Sequence, residues 1–112
     1  MTEFLYIYRG RDTYASPEQM QKATEKFIAW VKNLATQGHL KSPGNPLEDA
    51  GMVIKGKQKV VTDGPYAEAK DIIAGYSIIE AKDIRQAAEL AKDCPIYEGG
   101  GSVEVRPIRK LP

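Results

Sequence analysis

The sequence predicts an α+β fold, a split βαβ sandwich of four strands and two helices with a β-hairpin inserted between its halves. Three observations predict it. Strand-forming runs open and close the chain, at residues 4–8 and 102–107. Two segments with helix-start signals, at Ser16 and Asp83, carry apolar residues at spacings of three and four. Between them lie two short β-rich arms around a polar tip, at 52–54 and 60–62. A chain of 112 residues, 42% apolar and 28% charged, suits a single globular domain over residues 1–112.

The first strand carries Phe4, Tyr6 and Tyr8 on one face of the pleat and Leu5 and Ile7 on the other, so both faces are apolar. Ser16-Pro17-Glu18-Gln19 then starts a helix: Ser16 caps, Pro17 suits the first helical position and Gln19 completes a capping box. Met20, Ala23, Phe27, Trp30, Val31 and Leu34 draw its inner stripe, and Gly38 is a left-handed stop. Residues 40–42 form a short strand before the punctuation Pro43-Gly44-Asn45-Pro46.

The hairpin tip is Lys55-Gly56-Lys57-Gln58-Lys59, and Asp63-Gly64-Pro65 breaks its second arm. Residues 67–74 read either as loop or as one helical turn, and 76–80 as a strand. Asp83 caps the second helix, Gln86 sits three residues on, and Ile84, Ala87, Ala88 and Ala91 form the inner face until Cys94-Pro95. After the glycines at 99–101 the last strand puts Val103 and Val105 on one face and Glu104 and Arg106 on the other. This order is the ferredoxin-like one, with both helices on one face of an antiparallel sheet. The opposite face would be left open although the first strand is apolar on both sides. A second copy is the expected cover, giving a homodimer packed sheet to sheet.

Sixteen basic against fifteen acidic residues leave a net charge of +1, with no field to recruit nucleic acid or an anionic membrane. Cys94 is the single cysteine, so no internal disulfide forms and a reducing cytoplasm is the expected compartment. The apolar run at 4–8 is too short for a bilayer and lacks the basic leader of a signal peptide. The glycines at 99–101 open a strand, not a helix with Lys and Ser or Thr, so they are no phosphate loop. No His or Cys cluster suggests a zinc site, and no cofactor or metal is expected.

The stretch Val60-Val61-Thr62-Asp63-Gly64-Pro65-Tyr66-Ala67-Glu68-Ala69-Lys70 resembles the signature of the YCII-related family, specifically its DGPF branch. That branch pairs a short strand with Asp-Gly-Pro-Phe and Ala-Glu-Thr-Lys; here Tyr66 replaces the Phe and Ala69 the Thr. Gly75-Tyr76, Cys94-Pro95 and the run from Ser102 to Ile108 are similar too, so the resemblance covers nearly the whole chain. It implies a dimeric α/β barrel. It also implies a link of some members to extracytoplasmic-function sigma factors, and in the wider family a suspected enzyme activity through a His–Asp pair. The His of that pair lies in the first helix, near the place of Phe27, and this helix contains no His.

Asp63 has two readings: a carboxylate accepting backbone N–H bonds at a strand end, or a base in a pocket. His39, the only histidine, reads as a polar residue beside a helix C-terminus or as a proton-handling partner of Asp63. Gly64 and Pro65 set the turn there and, with Tyr66, are ligand-binding candidates, while Glu68 and Lys70 read either as a solvated charged turn or as a pair shaping the mouth of a pocket. Glu104 and Arg106 would face the dimer cleft if the valines face the helices, with Arg106 able to hold an anion. Tyr6 and Tyr8 would line that cleft if Leu5 and Ile7 face the helices. Two functions follow as expectations. The first is a module binding a small polar or anionic ligand, or an accessory one tied to a sigma factor. The alternative is a small enzyme using acid–base chemistry through Asp63 and His39.

Overall fold

Alternation along the first strand, β1 (Thr2–Arg9), decides which side of the sheet holds the core. Phe4, Tyr6 and Tyr8 are buried, whereas Leu5 and Ile7 on the opposite pleat are half-buried. The computed structural model describes residues 1–10, 16–64 and 71–112. After β1 these form α1 (Pro17–Thr36), β2 (Leu40–Ser42), β3 (Gly51–Lys55), β4 (Val60–Gly64), β5 (Ile73–Ala81), α2 (Ile84–Ala91), a 3₁₀ helix (Pro95–Gly99) and β6 (Ser102–Pro107). The larger sheet is antiparallel with strand order β2-β5-β1-β6. Tyr6 lies opposite Ser77 on β5 and Val105 on β6; Leu5 lies opposite Ile78 and Arg106.

Local chemistry sets the helix ends where the sequence predicts them. Ser16 Oγ accepts from the Gln19 N–H at 3.2 Å, and Pro17 occupies the first turn. At the other end the His39 N–H donates to Leu34 O at 2.9 Å and the Gly38 N–H to Ala35 O at 3.0 Å. This Schellman closure needs the positive φ of +81° that Gly38 supplies. In α2, Asp83 Oδ1 accepts from the Gln86 N–H at 2.9 Å, and the Gln86 side chain accepts from the Lys82 N–H at 2.8 Å.

Both helices cover the face bearing Phe4, Tyr6 and Tyr8. Tyr6 stacks on Trp30 with ring centroids 5.9 Å apart, and its hydroxyl donates to Ala87 O on α2. Trp30 Nε1 donates to Leu90 O at 3.2 Å, tying α1 to α2. Leu34, Ile79, Ala81, Ala91 and Cys94 complete the buried cluster, with Val103 and Val105 packed against it.

Several expectations need correction. The helix-free face carries Leu5, Ile7, Tyr76 and Ile78, not Tyr6 and Tyr8, because the large rings fill the space beside Trp30 that the alanines of α2 leave open. Ile84 and Ala88 are exposed. The inner stripe of α2 runs instead through Ala87, Leu90 and Ala91 toward Cys94, and Met20 at the start of α1 is exposed as well. β5 begins at Ile73, earlier than predicted, and the 3₁₀ helix after Cys94 was not foreseen. Residues 67–70 of the ambiguous segment lie outside the described residues.

The inserted hairpin forms as predicted. Among the described residues β3 and β4 pair only with each other, Met52 opposite Asp63 and Ile54 opposite Val61. Their turn uses left-handed Gly56 and Lys59.

Candidate functional site

A recess of about 570 Å³ opens between α1 and the far edge of β5. Its walls are Phe27, Ile28 and Val31 from α1, Tyr8 from β1, Tyr76 from β5 and the segment 43–46. That segment runs along β5 as an extra edge. Pro46 bridges to Gly75, the Leu47 N–H donates to Ala74 O at 2.8 Å, and the Tyr76 N–H donates to Asn45 O at 3.4 Å. Two glycines permit the approach. Gly44 has φ +65°, and a Cβ there would sit 1.8 Å from Tyr76 O; a Cβ on Gly75 would sit 2.9 Å from Asn45 O.

Behind the wall of the recess a hydrogen-bond relay fixes the orientation of Tyr8. Its hydroxyl donates to Ser77 Oγ at 2.8 Å, and Ser77 donates to Pro43 O at 2.8 Å. Burial pushes the Tyr8 phenol well above its ordinary range, so it stays protonated and neutral. Phe27 meets the Tyr8 ring edge-on at 5.0 Å. Lys32 and Asn45 are also in the lining, and Asn45 Nδ2 donates to the Tyr76 hydroxyl at 3.5 Å.

Of the candidate site residues named from the sequence that lie among the described residues, Tyr8 alone lines this recess. Tyr6 lies deeper, between Trp30 and α2. Glu104 and Arg106 project from the helix-free face, since Val103 and Val105 face the helices. There Glu104 accepts from Arg9 Nε at 3.0 Å and from Arg106 Nη1 at 3.2 Å. These bonds, Arg9's foremost, hold its carboxyl below the usual range. Glu104 thus occupies Arg106, the cation expected to hold an anion.

The structure does not join His39 to Asp63. His39 Nδ1 lies 2.8 Å from Glu80 O, a carbonyl that only accepts, so Nδ1 carries the hydrogen. Asp63 is exposed on β4, in the separate two-stranded sheet, and Gly64 ends that strand opposite Gly51. No hydrogen bond links the pair among the described residues. Pro65, Tyr66, Glu68 and Lys70 lie outside the described residues. Burial pushes the Cys94 thiol up to about 11, and the side chain packs in the core.

Sequence reasoning missed Ile28, residues 43–46 and Tyr76 as site residues. A usable signal was present: Ile28 follows Phe27 and widens the apolar stripe of α1 beyond what one sheet covers. Among the described residues, no group of three or more His, Cys, Asp or Glu side chains could hold a metal ion. No described helix is long and apolar enough to cross a membrane.

The chain is 35% identical over 52 residues to an uncharacterized protein of Rhizobium meliloti (strain 1021). That match takes in 46% of this chain and 42% of the relative, so it spans less than half of the relative's length. Among solved structures, the fold is similar to 5-chloro-2-hydroxyhydroquinone dehydrochlorinase (TftG) from Burkholderia phenoliruptrix AC1100, in complex with 2,5-dihydroxybenzoquinone. The TM-score is 0.53 at 17% identity, covering 96% of this chain and 93% of that one. At that identity the likeness concerns the fold alone. The model of the YCII-related domain matches residues 1–112, from end to end, and the chain therefore belongs to the YCII-related family.

Proposed function

We propose that this YCII-related chain is a small-molecule-binding module whose site is the recess between α1 and residues 43–46. The single observation that carries this reading is the recess itself. About 570 Å³ of largely apolar space is lined by Tyr8, Phe27, Ile28 and Val31, with Thr24, Lys32 and Asn45 as polar members of the lining. A compact ring bearing hydroxyl, carbonyl or carboxylate substituents matches that pattern, with Lys32 and Asn45 for the substituents. The similar fold of TftG, crystallised with 2,5-dihydroxybenzoquinone, is consistent with a ligand of this size.

The reading extends to the assembly. The stretch 60–70 supports assignment to the DGPF branch, and the strand order β2-β5-β1-β6 with both helices on one face supports a ferredoxin-like dimeric α/β barrel. Leu5, Ile7, Tyr76 and Ile78 form an apolar band on the helix-free face, beside the Arg9–Glu104–Arg106 ion pairs. A second copy pressed on that band would make a cytoplasmic homodimer.

Calorimetric titration with 2,5-dihydroxybenzoquinone and a set of hydroxybenzoates tests the site. Saturable binding of one molecule per chain is expected, and Thr24→Trp, at an exposed position lining the recess, is expected to abolish it by filling the space. Binding that survives Thr24→Trp unchanged, or no saturable binding by any of these compounds, overturns the reading.

A further inference from the structure

The hairpin of β3 and β4 is too apolar to stand in water alone. Antiparallel pairing puts Met52, Ile54 and Val61 on one of its faces, with 76%, 69% and 57% of their surfaces exposed. Val60, 53% exposed, lies on the other face. Among the described residues the two strands hydrogen-bond to each other and to no strand of the larger sheet. A two-stranded ribbon without cover is marginal in water, so a surface of this kind calls for a partner.

The dimensions of the molecule leave room for such a partner surface. The chain exposes 8254 Å², against about 6,100 Å² for a compact monomer of its mass. Its Cα radius of gyration is 15.5 Å, against about 13 Å for a compact domain of this length, and it is only 18 Å thin along its shortest axis. The excess of about 2,000 Å² per chain is more than the ~800 Å² per partner that a stable dimer buries. A monomer has no use for such an excess, whereas two copies that clasp each other remove it.

We propose that the β3–β4 hairpin is a dimerisation arm, which lays Met52, Ile54 and Val61 against a second copy of this chain. The inference rests on the homodimer reading above and adds to it the element that carries the association. Asp63 then has a role without proton transfer: it shares the arm's apolar face opposite Met52 and sets a polar border to the contact.

The test is the solution mass of the wild type, of I54D/V61D and of Ile78→Asp on the helix-free face, by light scattering with gel filtration. The wild type is expected at twice the 12.4 kDa of one chain, and I54D/V61D at one chain's mass with an unchanged circular dichroism spectrum. If I54D/V61D stays dimeric while Ile78→Asp dissociates, the arm inference fails and the sheet-to-sheet dimer stands. If the wild type is monomeric, both fail. Should I54D/V61D precipitate, amide hydrogen exchange of the wild type decides. Residues 51–64 must gain protection as concentration rises, and equal exchange at all concentrations overturns the arm.

Discussion

Ser77 is the only buried polar side chain among the described residues, and it joins three elements. On β5 it accepts a hydrogen bond from the Tyr8 hydroxyl of β1 and donates one to the carbonyl of Pro43, just beyond β2. Removing its oxygen leaves a phenol and a carbonyl to share an apolar hole, and an unsatisfied buried partner costs more than the lost bond itself. Ser77→Ala is therefore expected to lower stability by about 1–3 kcal/mol in urea unfolding. Tyr8→Phe in the same background should recover part of that loss, because one of the stranded groups is then gone. Additive losses in the double variant would show that the relay is not a unit.

At the scale of elements, what could be read from the sequence is what is decided locally. Ser16, Asp83 and Gly38 mark their helix ends because the capping bonds run to backbone three to five residues away. The hairpin was legible for the same reason. The facing of β1 was not. Both of its faces are apolar, and the choice between them is made by Trp30 and Ala87, which are distant in sequence. Likewise Pro43-Gly44-Asn45-Pro46 reads as punctuation, yet it forms an edge along β5 because Gly44 and Gly75 remove the two Cβ atoms that would hold it off. The recess depended on that edge and so was invisible too. Gly75→Val tests the point, since valine favours a strand by propensity but places a Cβ 2.9 Å from Asn45 O. The edge is expected to detach, with faster amide exchange at Leu47 and Tyr76 and a stability loss of about 1–3 kcal/mol. An unchanged or higher stability would mean that strand propensity outweighs the close contact.

For the whole molecule the governing fact is surface. A thin, wide chain with an apolar arm and an apolar sheet face has little hydrophobic burial of its own relative to its size, so the proposed association would supply part of its native stability. Linkage turns this into a measurable slope. When two folded chains dissociate and unfold together, mass action raises the melting temperature with protein concentration. A tenfold rise is worth about 1.4 kcal/mol per dimer, and for two chains of this length that corresponds to roughly 2–4 °C. Scans from about 1 to about 100 μM should therefore show Tm climbing by some 4–8 °C in the wild type. The arm variant I54D/V61D should melt lower and at one temperature throughout, since its unfolding involves a single chain. A ligand in the recess would add its own stabilisation to both, because the arm takes no part in lining it. A wild-type Tm that ignores concentration would place all of the stability within one chain, and the arm and the sheet face would have to be explained without a second copy.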